Sequence, residues 1–138
     1  MNRQNDIVED ITIPSETRYV RKISSKILKQ LGLRNVAESA LFDIRLCVEE
    51  IVRNAMQHGN LEDKKAKVRI NYRIEDGLFT IEVADSGKGF NHDKVPDPTN
   101  KENIMKGSGR GVYLVRHLMD KVEYNDKGNK VKLTKRLK

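Results

Sequence analysis

The stretch VRINYRIEDGLFTIEVADSGKGF, residues 68–90, decides most of the fold. Apolar residues alternate over 68–74 and again over 78–84, the two-residue period of strands with one buried face. Between them Glu75-Asp76-Gly77 reads as a hairpin turn. Beyond the second strand, Asp85 opens a loop rich in Gly, Pro, Asn and Lys that runs to about Ser108. A loop of more than 20 residues is abnormal in a small domain, and such loops are usually functional or disordered.

Upstream, residues 7–13 read as an opening strand ended by Pro14. Ser15-Glu16 then starts a helical pattern through Val20, Ile23, Ile27, Leu28 and Leu31, closed by Gly32. A longer helix is expected from about Val36 to His58, with Gly59 as its stop. Its apolar stripe is Val36, Ala40, Leu41, Ile44, Cys47, Val48, Ile51 and Ala55. Downstream, a third helix is expected over about 109–120, and a last hairpin turns at Lys127-Gly128-Asn129. The order β-α-α-β-β-loop-α-β-β implies an α/β (α+β) two-layer sandwich, with helices covering one face of a mixed, mostly antiparallel sheet.

The 138 residues amount to one domain, 1–138, with no repeat or linker to divide them. No apolar run approaches the roughly 20 residues that span a bilayer. The polar start MNRQNDIVEDITIP lacks the apolar centre of a signal peptide. The single cysteine, Cys47, allows no internal disulfide, so a cytoplasmic setting is expected. The net charge of +7 invites a nucleic-acid reading, but an aromatic fraction of 5% leaves little for stacking bases. Most of the excess is in the last strands and tail, where Lys121, Lys127, Lys130, Lys132, Lys135, Arg136 and Lys138 face only Glu123 and Asp126. That pattern suits a solvated strand protecting a sheet edge.

Three segments carry chemistry. In EEIVRNAMQHG, residues 49–59, Glu50, Asn54 and His58 share one helical face beside the apolar stripe. A carboxylate and a carboxamide one turn apart suit a hydrated divalent cation and a hydroxyl to be activated, since magnesium takes oxygen ligands and keeps several waters. In the second segment Asp85 stands where a strand ends, and Gly87 and Gly89 let the backbone approach a ligand closely. A buried carboxylate there can accept a hydrogen bond from an exocyclic amine and choose adenine over guanine. In GSGRGVYLVRHLMD, residues 107–120, Gly107, Gly109 and Gly111 precede an amphipathic helix whose free N–H groups and dipole suit phosphates. The chain has no G-x-x-x-x-G-K-[ST], no G-x-G-x-x-G and no zinc spacing, which sets aside the P-loop, dinucleotide and zinc classes.

Together the segments resemble the GHKL (histidine-kinase-like) ATPase superfamily. Glu50 with Asn54 is similar to its N box, 85–90 to its D-x-G-x-G box and 107–111 to its second glycine box. The resemblance implies a Bergerat-type ATP-binding fold, with an ATP lid at about 91–108. Within that superfamily the chain looks most like the anti-sigma-factor serine/threonine-protein kinases, through NAMQHG and GVYLVRHLMDKV. Those proteins hold a sigma factor, release it to a STAS-domain anti-anti-sigma factor, and inactivate the latter by phosphorylating a serine. The resemblance implies ATP and Mg2+ as cofactors, a sigma factor and a STAS antagonist as partners, and a homodimer. It makes Glu50 the general base, Asn54 the magnesium ligand and Asp85 the reader of the adenine amino group. Gly87, Gly89, Gly107, Gly109 and Gly111 shape the pocket and lid, and Lys106, Ser108 and Arg110 are further candidates for phosphate contact. No arginine directly precedes Ser108, where some relatives carry a basic residue.

A second reading is a nucleotide-gated protein-binding module that transfers no phosphate; Glu50 divides the two, since only a kinase needs it. A detached histidine-kinase domain would need a dimerising helix with a phosphorylatable His ahead of it. Membrane and direct nucleic-acid partners are not expected. Cys47 is read as a buried inert thiol, and Tyr113 and Met119 as packing residues of the third helix.

Overall fold

The computed structural model describes residues 6–59, 65–86 and 107–137, and of 58, 59 and 107–112 the backbone alone. The elements are β1 Ile7–Pro14, α1 Arg18–Gly32, α2 Glu38–Asn54 running on into one π-helical turn Ala55–Gly59, β2 Lys67–Glu75, β3 Leu78–Ala84, α3 Gly107–Leu118, β4 Lys121–Tyr124 and β5 Lys130–Arg136. The strands lie in the order β1-β2-β3-β5-β4, antiparallel at every described pairing. The sheet is thus more uniform than the mixed, mostly antiparallel one expected.

Burial follows the two-residue period. Val68, Ile70, Tyr72 and Ile74 of β2, with Phe79, Ile81 and Val83 of β3, point to the helices, while Lys67, Arg69 and Arg73 point away. The turn between these strands needs left-handed backbone at both central residues, and Asp76 (φ 52°) and Gly77 (φ 73°) supply it. Across the core lie Val20, Ile23, Ile27 and Leu31 of α1, Ile44, Cys47, Val48, Ile51 and Val52 of α2, and Val115 and Met119 of α3 and its end. Tyr113 is half-buried and its ring packs 4.3 Å from that of His117.

Four boundaries differ from those expected. Helix α1 begins at Arg18 rather than at Ser15-Glu16, because the Ser15 hydroxyl is already committed: it donates to the Ala66 carbonyl at 2.9 Å and ties β1 to the start of β2. Helix α2 begins at Glu38 and is α-helical only to Asn54. There the Ala55 N–H is shared between the carbonyls of Ile51 and Val52, and the winding widens into the π turn. Helix α3 begins at Gly107, so its glycines lie inside the first turns rather than ahead of them. Finally, the basic strand β5 is not an edge: β4 flanks it.

One of its lysines is not a solvated tail residue either. Lys135 lies on the helix side, only 17% exposed, where it donates to the Leu118 carbonyl at 2.7 Å and pairs with Asp43 at 3.4 Å. One ammonium thereby caps the C-terminus of α3, where the helix dipole favours a cation, and joins α2, α3 and β5.

Leaving a cavity at Ile81, which is fully buried at the centre of the sheet, costs transfer energy and lost packing. Ile81→Ala is expected to destabilise the fold by about 2–5 kcal/mol in urea unfolding. Burial also pushes three groups up to about 12: the Cys47 thiol, helped by the Asp43 carboxylate; the Tyr72 hydroxyl, which donates to Gln30 Oε1; and the Tyr124 hydroxyl. Each holds its proton more tightly folded than unfolded. The stability is therefore intact below the ordinary values of 9.0 for Cys47 and 10.0 for the tyrosines, and declines as pH rises from there toward 12. A urea midpoint falling steadily above about pH 9 is the expected result.

Candidate functional site

The topology brings the chemistry-bearing segments to one end of the sheet. Helix α1 leaves β1 beside the Pro14–Lys67 pair and runs to the opposite end. There Val36 meets Ile74, Leu78 and Leu137 around a groove of about 530 Å3 that takes no part in the site. Helix α2 returns from that end. Lys135 stands opposite Phe79 in register, so its bonds to Asp43 and Leu118 place both residues beside the start of β3. From that level α2 climbs about 16 Å to Asn54 and β3 about 20 Å to Asp85. Helix α3 is antiparallel to both and starts at the Asp85 end.

Glu50 and Asn54 are half-buried on the last turns of α2. Past Asn54 the expected line through His58 passes from α-helical into π-helical winding. The side chain of His58 lies outside the described residues. Arg53 Nη1 stands 3.3 Å from Glu50 Oε2, a pair that a polar-face reading of the sequence passes over.

Asp85 is half-buried rather than buried, at the first position past β3. Its backbone N–H donates to the Asn129 carbonyl at 2.9 Å, so the β4–β5 turn holds the strand end in place. That turn is organised by Asn125, which sequence reasoning missed. Its amide donates to Asn129 Oδ1 at 2.7 Å, and its Oδ1 accepts from the N–H groups of Asn129 (3.0 Å) and Lys130 (3.2 Å). Gly128 completes the turn with a φ of 75°. The signal was an Asx-type residue two positions before a Lys-Gly pair.

The backbone of Gly107, Gly109 and Gly111 opens α3, whose first N–H groups have no partners within the helix and face this end. Glycine weakens a helix by about 1 kcal/mol against alanine, so this turn is held by the packing of Val115 and Met119 further along. Gly87, Gly89, Lys106 and the expected lid at 91–108 up to residue 106 lie outside the described residues, as do the side chains of Ser108 and Arg110. Among the described residues no group of three or more His, Cys, Asp or Glu could hold a metal ion. The oxygens of Asn54 and Glu50 fit a magnesium that arrives with phosphates and keeps its waters, not one caged by protein alone. No described helix is long and apolar enough to cross a membrane.

Comparison with known proteins agrees with this geometry. Residues 13–135 match the histidine kinase-like ATPase domain. The chain is similar to the serine-protein kinase RsbW of Bacillus licheniformis, with 31% identity covering 98% of this chain and 88% of the relative. Its likeness to the serine-protein kinase RsbW of Bacillus subtilis (strain 168) is 28%, covering 99% and 89%. Among solved structures it is similar to the RsbU and RsbW domains of a Mycobacterium tuberculosis protein, with a TM-score of 0.67 at 19% identity, a likeness of fold. That match takes in 95% of this chain and 32% of the solved one. The chain belongs to the histidine kinase-like ATPase family, and within it to the serine-protein kinases. Use of ATP follows from that membership.

Asn125→Ala removes three hydrogen bonds from the turn that steadies Asp85. It is expected to cost about 1–3 kcal/mol in urea unfolding and to weaken ATP binding in a fluorescent-nucleotide titration.

Proposed function

We propose that the chain is an anti-sigma regulatory factor that sequesters a sigma factor and phosphorylates a serine of a STAS-domain anti-anti-sigma factor, using ATP with Mg2+. The observation that carries the reading is the meeting of the α2 C-terminus, the β3 end and the α3 N-terminus at one end of the sheet. Glu50 takes the proton of the serine hydroxyl as its oxygen attacks the γ-phosphorus. The bond from that phosphorus to the β–γ bridging oxygen breaks, and ADP leaves. Asn54 would hold the magnesium, which would supply charge neutralisation at the phosphates. Asp85 accepts a hydrogen bond from the adenine amino group. Gly87 and Gly89 admit the nucleotide. Gly107, Gly109 and Gly111, with Lys106, Ser108 and Arg110 as phosphate contacts, close the lid of 91–108. Such transfer rests on positioning and charge neutralisation, so this small set of groups suffices. The reading takes 1–138 as one catalytic domain, working in the cytoplasm as a homodimer.

The test pairs two variants. Glu50→Ala is expected to keep ATP affinity and lose about 100- to 10,000-fold in phosphoserine formation, the range for a general base. Asp85→Ala is expected to lose nucleotide binding itself. The acceptor is captured from native lysate on the tagged chain with Mg-ATP and its phosphosite mapped. Equal transfer by wild type and Glu50→Ala would remove the assigned base. ATP binding with no phosphorylated partner would favour the nucleotide-gated module.

A further inference from the structure

Beside the expected base stands a charged relay that no role above uses. Arg53 is one turn on from both Glu49 and Glu50 and reaches each: Nη1 is 3.3 Å from Glu50 Oε2, and Nη2 is 4.0 Å from Glu49 Oε1. Surface pairs within one helix usually do little, because both side chains are free to part. Here one end is fixed. Glu49 is 18% exposed, and its Oε2 accepts a 2.5 Å hydrogen bond from the hydroxyl of Ser24, a buried residue of the neighbouring helix α1. Arg45 Nε approaches the same oxygen at 3.4 Å. Glu49 is thus clamped across two helices, and it presents its other oxygen to Arg53.

We infer that Arg53 is a positioning residue for the Glu50 carboxylate, itself steadied by Glu49 and Ser24. The inference rests on the kinase reading above, in which Glu50 is the base. A glutamate has three free torsions, and a base must meet the serine proton within hydrogen-bond reach. By engaging Oε2, the guanidinium fixes the plane of the carboxylate and leaves Oε1 as the oxygen that takes the proton. The planar fork of arginine, with separate nitrogens for two acids, does this in a way a lysine ammonium cannot fully copy. The effect belongs to the chemical step, so nucleotide affinity stays outside it.

The test uses the full chain, Mg-ATP and the phosphorylated acceptor captured as described above. Arg53→Gln is expected to lower kcat about ten-fold or more, while KM for Mg-ATP and the affinity for a fluorescent ATP analogue stay within about two-fold. Arg53→Lys should recover part of the loss. Glu49→Gln, which loosens the clamp without touching Glu50, should lower kcat in the same sense by a smaller factor. Thermal unfolding of each variant separates a folding defect from a kinetic one. Unchanged kcat in Arg53→Gln, or a loss that follows KM or the unfolding temperature, would overturn the inference. Full activity in a parallel Glu50→Gln variant would instead overturn the assignment of Glu50 as the base on which the inference rests.

Discussion

The helices have one surface on which to lie, the face of the sheet made by Ile13, Val68, Ile70, Tyr72, Ile74, Phe79, Ile81, Val83, Val131 and Leu133. Everything else follows from that one-sided burial. A strand alternates its side chains, so the opposite face is committed to Lys67, Arg69, Arg73, Lys130 and Lys132 and gives an apolar helix nothing to bury against. Three helices confined to one layer must run back and forth across it. Because α1 begins at the Pro14 end, α2 has to finish there, and α3 has to start there. The convergence of the functional segments is a consequence of packing before it is one of chemistry.

Much of this was legible in the residues. The buried stripe of α2 from Ala40 to Ile51 is written in its spacing, and so is the hairpin at Asp76-Gly77, whose two residues both take left-handed backbone. What escaped the sequence is what depends on a neighbour in space. Lys135 looks like one more cation in a basic tail until β5 is placed between β3 and β4, and the carbonyl of Leu118 and the carboxylate of Asp43 come within its reach. Ser15 looks like a helix cap until Ala66 is seen to compete for its hydroxyl. The π turn has no signature in AMQHG, a run that would serve an α-helix equally well. In the site, Glu50, Asn54 and Asp85 were named from their positions on elements. Arg53, Glu49, Ser24 and Asn125 act through contacts 3 to 25 residues away, which spacing alone does not single out.

Electrostatics divides the molecule in two. On the outer face of the sheet the charges are laced: Arg69 with Asp10, Lys130 with Glu82, Lys121 with Glu123. These pairs are exposed, and each contributes little to stability. Their effect is on solubility and on keeping the strands from pairing with other chains. On the helix side two charges are tied to inner groups, Lys135 to the end of α3 and Glu49 to Ser24.

The groove bordered by Val36, Ile74, Leu78 and Leu137 marks the end of the sheet away from Asp85. Strand β1 starts there, with Ile7 opposite Ile74, and the last described bond of the chain is there too, from the Leu137 N–H to the Gly77 carbonyl. Entry and exit of the described unit thus share one pole, and the segments proposed to handle nucleotide occupy the other. Anything joined in sequence before Ile7 or after Leu137, whether a second domain, a linker or a fused reporter, is carried on the far side and leaves the approach to the site open.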